Sequence, residues 1–102
     1  MKLILKPNEM ILMAGSSNLR HENQQINGKL IVTNQRIYFR TLKLEHQLCN
    51  KEINPEEISE LFYFNVMWVL PKGLKIKTKE GNELCFTVSN RSEWAKLITK
   101  MF

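Results

Sequence analysis

The sequence predicts a mostly β fold, an antiparallel barrel or sandwich of seven short strands, followed by one C-terminal α-helix. Three observations carry that prediction. Apolar or alternating stretches recur at short intervals between turn residues as far as Val88. Two of the turns can be registered from side-chain parity, because cross-strand partners must point to the same face. After Asn90 the hydrophobic spacing changes from that of a strand to that of a helix.

In chain order, the apolar run from Glu9 to Ser16 is the first strand, and Gly28 to Thr33 with Arg36 to Thr41 form a hairpin. With Asn34-Gln35 as a two-residue turn, Val32 opposes Ile37 and Leu30 opposes Phe39, which fills one face with apolar groups. Ile31 then opposes Tyr38 and Lys29 opposes Arg40 on the other face. Gln47 to Ile53 is the next strand. Asn54-Pro55-Glu56-Glu57 reads as a single helical turn, with Asn as the cap, Pro in the first position and acids in the first turn.

Ile58 to Val66 is apolar on both faces, with Ile58, Phe62, Phe64 and Val66 on one and Leu61, Tyr63 and Met67 on the other. Only one face can line a barrel. The second needs cover from the C-terminal helix, a partner chain, or a lipid or peptide. Leu74 to Lys79 and Glu83 to Val88 form a second hairpin around a loop of Glu80-Gly81-Asn82, which sets Leu74 against Val88, Ile76 against Phe86, Thr78 against Leu84 and Lys79 against Glu83. Asn90 followed by Glu93 is a capping-box pattern. Trp94, Leu97, Ile98 and Met101 then recur at i, i+3, i+4 and i+7, so a helix over roughly 90–102 lays an apolar stripe on an open end of the barrel.

With 102 residues and 43% hydrophobic content, the chain is expected to form a single domain spanning 1–102 around one core. The longest apolar run, "LFYFNVMWVL", is about half of the ~20 residues a membrane span requires. The three-residue apolar core of "MKLILKPNEM" is shorter than the roughly 7–15 of a signal peptide, so a cytoplasmic chain starting at Met1 is expected. Cys49 and Cys85 are read as free thiols. A net charge of +5 permits attraction to phosphate-bearing partners.

The residue pattern argues against catalysis, metals and cofactors. His46 and Cys49 lie three apart in a strand-like region and so on opposite faces, out of reach of each other as base and nucleophile. Two His and two Cys in the whole chain are a thin supply for zinc, which takes four ligands. Gly15, Gly28, Gly73 and Gly81 are isolated near expected strand ends or turns and form no phosphate loop.

Two basic features stand out. Lys29 opposite Arg40, with Arg36 and Tyr38 on the same side, is a like-charge cluster that a phosphate or acidic peptide would relieve. Glu45 or Glu52 on the next strand, or solvent screening, would relieve it equally. Lys72, Lys75, Lys77 and Lys79 form a second stripe, offset in part by Glu80 and Glu83.

The run "GKLIVTNQRIYF" (Gly28 to Phe39) resembles the signature hairpin of GRAM domains and related bacterial pleckstrin-homology-like domains: a glycine, an apolar strand, Thr-Asn-x-Arg and a second apolar strand. "INPEEI", "GLKIKTKEGNELCF" and "NRSEWAKLI" continue the resemblance in order, so that it covers nearly the whole chain from about Glu9. It implies a seven-stranded, strongly bent antiparallel sheet, a partly open barrel capped by the C-terminal helix, acting as a non-catalytic membrane-lipid or peptide-binding module. Pleckstrin-homology domains that grip phosphoinositides use a Lys near the end of the first strand and further Lys/Arg on the second. Here "MILMAGSSNLRHENQQINGK" offers Arg20, His21 and Lys29 among amides.

The expected ligand is thus an anionic membrane surface or a protein or peptide partner, at a cytoplasmic or peripheral-membrane location. Lys29, Arg36, Arg40, Lys72 and Lys75 would meet the anion, and Met67, Trp68, Val69 and Leu70 would supply apolar contact. Two readings from other classes are a nucleic-acid-binding basic β-domain, against which the interrupting Glu80 and Glu83 argue, and a homo-oligomeric structural domain with Met67 to Leu70 as a dimer seam.

Overall fold

The computed structural model describes residues 4–21, 24–42, 50–66 and 70–102. Seven antiparallel strands, β1 (Ile11–His21), β2 (Gln24–Thr33), β3 (Ile37–Thr41), β4 (Lys51–Ile53), β5 (Ile58–Val66), β6 (Leu70–Thr78) and β7 (Glu83–Thr87), precede α1 (Arg91–Thr99). They form one sheet in the order β4-β3-β2-β1-β7-β6-β5, curled into a half-barrel whose concave face carries the core.

The β2–β3 hairpin has the register that parity predicts, with Val32 opposite Ile37, Leu30 opposite Phe39, Ile31 opposite Tyr38 and Lys29 opposite Arg40. The β6–β7 hairpin keeps the expected faces but slips by two residues: Leu74 pairs with Phe86, Ile76 with Leu84 and Lys77 with Glu83. Gly81 is the reason. Its φ of 93° belongs at the last position of a three-residue loop, so the loop is Lys79-Glu80-Gly81, closed by hydrogen bonds from the Gly81 N–H to the Thr78 carbonyl and from the Thr78 N–H to the Asn82 carbonyl.

β1 and β2 are longer than their composition suggests. Amides are poor strand formers, yet Leu19 pairs with Ile26 on the core side while Asn18–Asn27 and Arg20–Gln25 pair on the other, and burial of the first pair carries the rest. β6 begins four residues before the expected Leu74. Pro71 fits there because it falls at the irregularity between Phe64 and Val66 on β5, where no ladder bond is required of it. Gly15, Gly28 and Gly73 lie inside strands, not at their ends. At Gly73 a Cβ would overlap the carbonyl oxygen and ring of Phe64, so the close approach of β5 and β6 requires glycine.

A bulge between Ile58 and Glu60 corrects the parity assigned to β5. Ile58 and Leu61 both join the core, whereas Phe62 and Phe64 lie on the convex face, Phe62 at 38% exposure beneath the Lys75 ammonium. The helix does not cover that face: Trp94, Ala95 and Ile98 join the concave core of Leu19, Leu30, Val32, Ile37, Phe39, Leu74, Ile76 and Phe86. The predicted caps do not form as side-chain bonds. Asn90 adopts a left-handed backbone (φ 57°) and Asn54 an extended one, and in both turns the Asn carbonyl accepts the first N–H, from Glu93 and Glu57 respectively.

One end of the sheet is tied to the N-terminal segment. The Arg36 guanidinium donates to both oxygens of Glu9 (Nε 2.8 Å, Nη2 3.0 Å), to Glu52 (2.6 Å) and to the Ile4 carbonyl (2.8 Å). Glu9 also accepts from the Thr33 hydroxyl at 2.6 Å. Asn34 bonds back to Asn8 and Met10, which fixes the chain entry against the β2–β3 turn.

Candidate functional site

Among the described residues β7 pairs with β1 at two positions, Asn18–Thr87 and Leu19–Phe86, before the chain turns away through Ser89 and Asn90 into α1. The strand ends are thereby splayed beside the helix N-terminus, and two hollows open there. The larger, about 570 Å3, is lined by Tyr63, Pro71, Lys72, Ser89, Asn90, Arg91 and Ser92. The smaller, about 150 Å3, is lined by Ser16, Ser17, Asn18, Lys72, Thr87, Val88 and Ser89. Lys72 and Ser89 belong to both.

Among the described residues no acidic side chain lines either hollow, while Lys72 and Arg91 do. Arg91 is anchored: Nη1 donates to the carbonyls of Phe64 (2.8 Å) and Gly73 (3.4 Å), and the guanidinium stacks 4.4 Å from the Tyr63 ring centroid. These contacts fix its position but leave its charge without an opposite one, since no ion pair involves Arg91 or Lys72 among the described residues. The Trp94 indole N–H donates to the Ser89 carbonyl (3.1 Å), which holds the connection between β7 and α1. Ser17 is 5% exposed and its Oγ has no hydrogen-bond partner.

The residues singled out in the sequence are distributed over several surfaces. Lys72 and Lys75 are three apart on β6 and so on opposite faces; Lys75 lies on the convex side, against the Phe62 ring (5.8 Å) and within 3.8 Å of Glu83. Lys29 and Arg40 form a cross-strand pair on the convex face of β2 and β3. Arg36 does not join them as an open cation: at 5% exposure it is buried against Glu9 and Glu52, and the expected exposed cluster is corrected on this point. Its hydrogen bond is the largest influence holding the Glu9 carboxyl down at about 2, from an ordinary value of 4.5. Of the apolar contact residues, Leu70 opens β6 at 40% exposure, and Met67, Trp68 and Val69 lie outside the described residues, as do His46 and Cys49. Cys85 is a free, half-buried thiol.

Arg91 and Ser17 were not legible as site residues. Arg91 reads as an ordinary first-turn residue, and Ser17 falls beyond the expected end of β1; its place two residues before Leu19, on the core-facing parity, was the available signal.

Two further hollows lie toward the β6–β7 turn, of about 350 and 380 Å3. The first is lined by Glu56, Glu57 and Glu80 against a single Lys79, which repels anions. Among the described residues no cluster of three or more His, Cys, Asp or Glu is placed to hold a metal ion, and no helix is long and apolar enough to cross a membrane.

No family model matches the chain, and no curated protein matches it. Solved structures do. The C-terminal domain of an unknown protein from Leishmania infantum superposes with a TM-score of 0.77 at 13% identity, covering 93% of this chain and 86% of that one. The Vps36 N-terminal PH domain gives 0.73 at 13% identity, with 96% and 82% covered. The Slm1 PH domain in complex with phosphoserine gives 0.62 at 10% identity, with 89% and 91% covered. At such identities the likeness is one of fold, and the fold is pleckstrin-homology-like.

Proposed function

We propose that the chain is a non-catalytic binding module of the GRAM type within the pleckstrin-homology-like fold, engaging an anionic membrane surface from the cytoplasmic side. The ordered run of "GKLIVTNQRIYF", "INPEEI", "GLKIKTKEGNELCF" and "NRSEWAKLI" supports the GRAM assignment. The observation that carries the ligand class is the hollow beside the helix N-terminus, where, among the described residues, Lys72 and Arg91 stand with no acid in the lining and no ion pair. Leu70, two residues before Lys72 and 40% exposed, places an apolar side chain on the same strand end. Met67, Trp68 and Val69, which precede it in the sequence, are apolar as well. Slm1, a structural neighbour, has been crystallised with phosphoserine and with inositol-4-phosphate, ligands of the same charge class.

In this reading Lys72 and Arg91 supply attraction and Leu70 enters the interfacial region. Lys29 and Arg40 lie on the convex face and add to the long-range field. The test is co-sedimentation with vesicles rich in phosphatidylserine against purely zwitterionic ones. Binding is expected only to the former, weakening steeply between low and physiological salt, with Lys72→Glu and Leu70→Ser each reducing it several-fold. Equal binding to both vesicle types, or an affinity indifferent to salt and to Lys72→Glu, would overturn the reading.

A further inference from the structure

We infer that the open edge of β1, residues 11–17, accepts an extended acidic peptide as an added antiparallel strand, with the peptide's acid beside Lys72 and its apolar side chains beside Leu12 and Ala14. The inference goes beyond the membrane reading and shares only Lys72 with it.

The backbone of β1 is the starting point. On one side it pairs with β2 from Ile11 to His21, and on the other, among the described residues, it pairs with β7 only at Asn18 and Leu19. Residues 11–17 therefore present a run of unmatched N–H and C=O groups, roughly 23 Å long, at the place a continued β7 would have filled. The helix meets β1 through its face instead of that edge: the Trp94 ring lies 3.3 Å from where a Gly15 Cβ would stand. The other two edges of the sheet are guarded. β4 is three residues long and bears Lys51 and Glu52, while β5 carries Glu60, two irregularities and a Phe64 carbonyl taken by Arg91. The β1 edge has no such device beyond the irregularity at Ile11/Met13, and from Met10 to Leu19 the chain holds neither a charge nor a proline. Leu12, at 47% exposure, Ala14 and Ser16 lie open along it.

Charge selects the occupant. Where β1 and β7 part, the smaller hollow joins Ser16 and Asn18 of β1 to Thr87 and Ser89 across the gap, with Lys72 in the same lining. Among the described residues no acid lines that hollow and no ion pair engages Lys72. A strand laid on the edge antiparallel to β1 starts at this end, so an acid at its N-terminus meets Lys72, and the apolar residues that follow run along Leu12 and Ala14. A second copy pairing through its own β1 would bring only the uncharged stretch from Met10 to Leu19, and with it another net charge of +5. A lipid has no backbone to continue the ladder.

The probe is the peptide acetyl-Glu-Glu-Val-Thr-Val-Thr-Val-amide, titrated against the full chain and followed by amide NMR and hydrogen exchange. Saturable binding is expected, with exchange slowed at alternate amides of residues 11–17 and unchanged on β4 and β5. Two further versions of the peptide, N-methylated on one or the other alternate set of its amides, separate strand pairing from simple charge attraction. One set faces β1, so its methylation should abolish binding; the other faces away, so its methylation should leave the affinity nearly unchanged. Replacing both peptide glutamates by glutamine, or Lys72→Ser in the protein, should weaken binding several-fold. Equal binding of the two methylated versions, protection on β5 in place of β1, or no saturable binding would overturn the inference. So would a chain that light scattering shows to be dimeric with residues 11–17 protected before any peptide is added, because the edge would then belong to a second copy. Binding to phosphatidylserine vesicles without peptide binding would refute the edge site and leave the membrane reading intact. Peptide binding without vesicle binding would do the reverse.

Discussion

Replacing Glu9 by Gln removes one charge from the buried pair that ties the N-terminal segment to the β2–β3 turn. The Glu9 side chain has no solvent exposure and that of Arg36 is 6% exposed, so solvent screens their 2.8 Å contact little. Two lines of reasoning set the size of the effect. The Glu9 carboxyl is held at about 2 instead of 4.5, chiefly by the Arg36 hydrogen bond, and that displacement corresponds to at most roughly 3 kcal/mol at neutral pH. Removing one member of a buried pair costs about 3–5 kcal/mol when the other charge is stranded. Arg36 is not stranded, since it keeps Glu52 at 2.6 Å and the Ile4 carbonyl at 2.8 Å. Glu9→Gln is therefore expected to cost about 2–3 kcal/mol, or roughly 10–20 °C in Tm for a chain of this size.

The pH dependence follows from the sign of the shift. The folded-state value of Glu9 lies below its unfolded one, so its contribution is complete above about 4.5 and is lost as pH falls toward 2. Urea denaturation of wild type and variant at pH 7 and at pH 2.5 should show a gap at neutral pH that largely closes in acid. A gap below about 0.5 kcal/mol at pH 7, or one unchanged at pH 2.5, would refute the reasoning. A cycle with Arg36→Met would then locate the missing coupling.

Two further predictions concern the splayed end and the sheet. Trp94→Phe keeps a ring in the core but strands the Ser89 carbonyl, and should cost about 1–2 kcal/mol by thermal or urea unfolding. A loss below a few tenths would mean that this indole bond does not hold the β7–α1 connection. Gly73→Ala places a methyl against the Phe64 carbonyl and ring and should destabilise by about 1–3 kcal/mol; hydrogen exchange should show the opening confined at first to the β5–β6 pair, and uniform protection loss would argue against a local clash.

Local chemistry made much of the fold legible. The register of β2 and β3 follows from a two-residue turn and from parity, since a slip of one residue would send Leu30, Val32, Ile37 and Phe39 to the wrong face. Parity also gave the faces of β6 and β7 but not their register, because a slip of two preserves every face. Only the requirement for a positive φ at Gly81 separates the two alignments. The polar extension of β1 and β2 was hidden because amide-rich sequence has no strand period of its own.

The site was less legible, for a reason of distance along the chain. Arg36 meets Glu9 across 27 positions, and Arg91 meets Phe64 across 27. No spacing rule reaches that far. Lys72 looked like one member of a lysine stripe until the strand placed it on the face opposite Lys75.

Taken alone, the sequence determined the element types, the apolar faces, the helix stripe of Trp94 and Ile98 and the surplus of positive charge, all of which depend on neighbours within a turn or a hairpin. The tertiary structure decided that Arg36 is matched, because only the folded N-terminal segment and β4 bring Glu9 and Glu52 to it, and it decided the place of Lys72 and Arg91 through the parting of β7 from β1. The same parting leaves Ser17 buried beside an open hollow rather than under a strand.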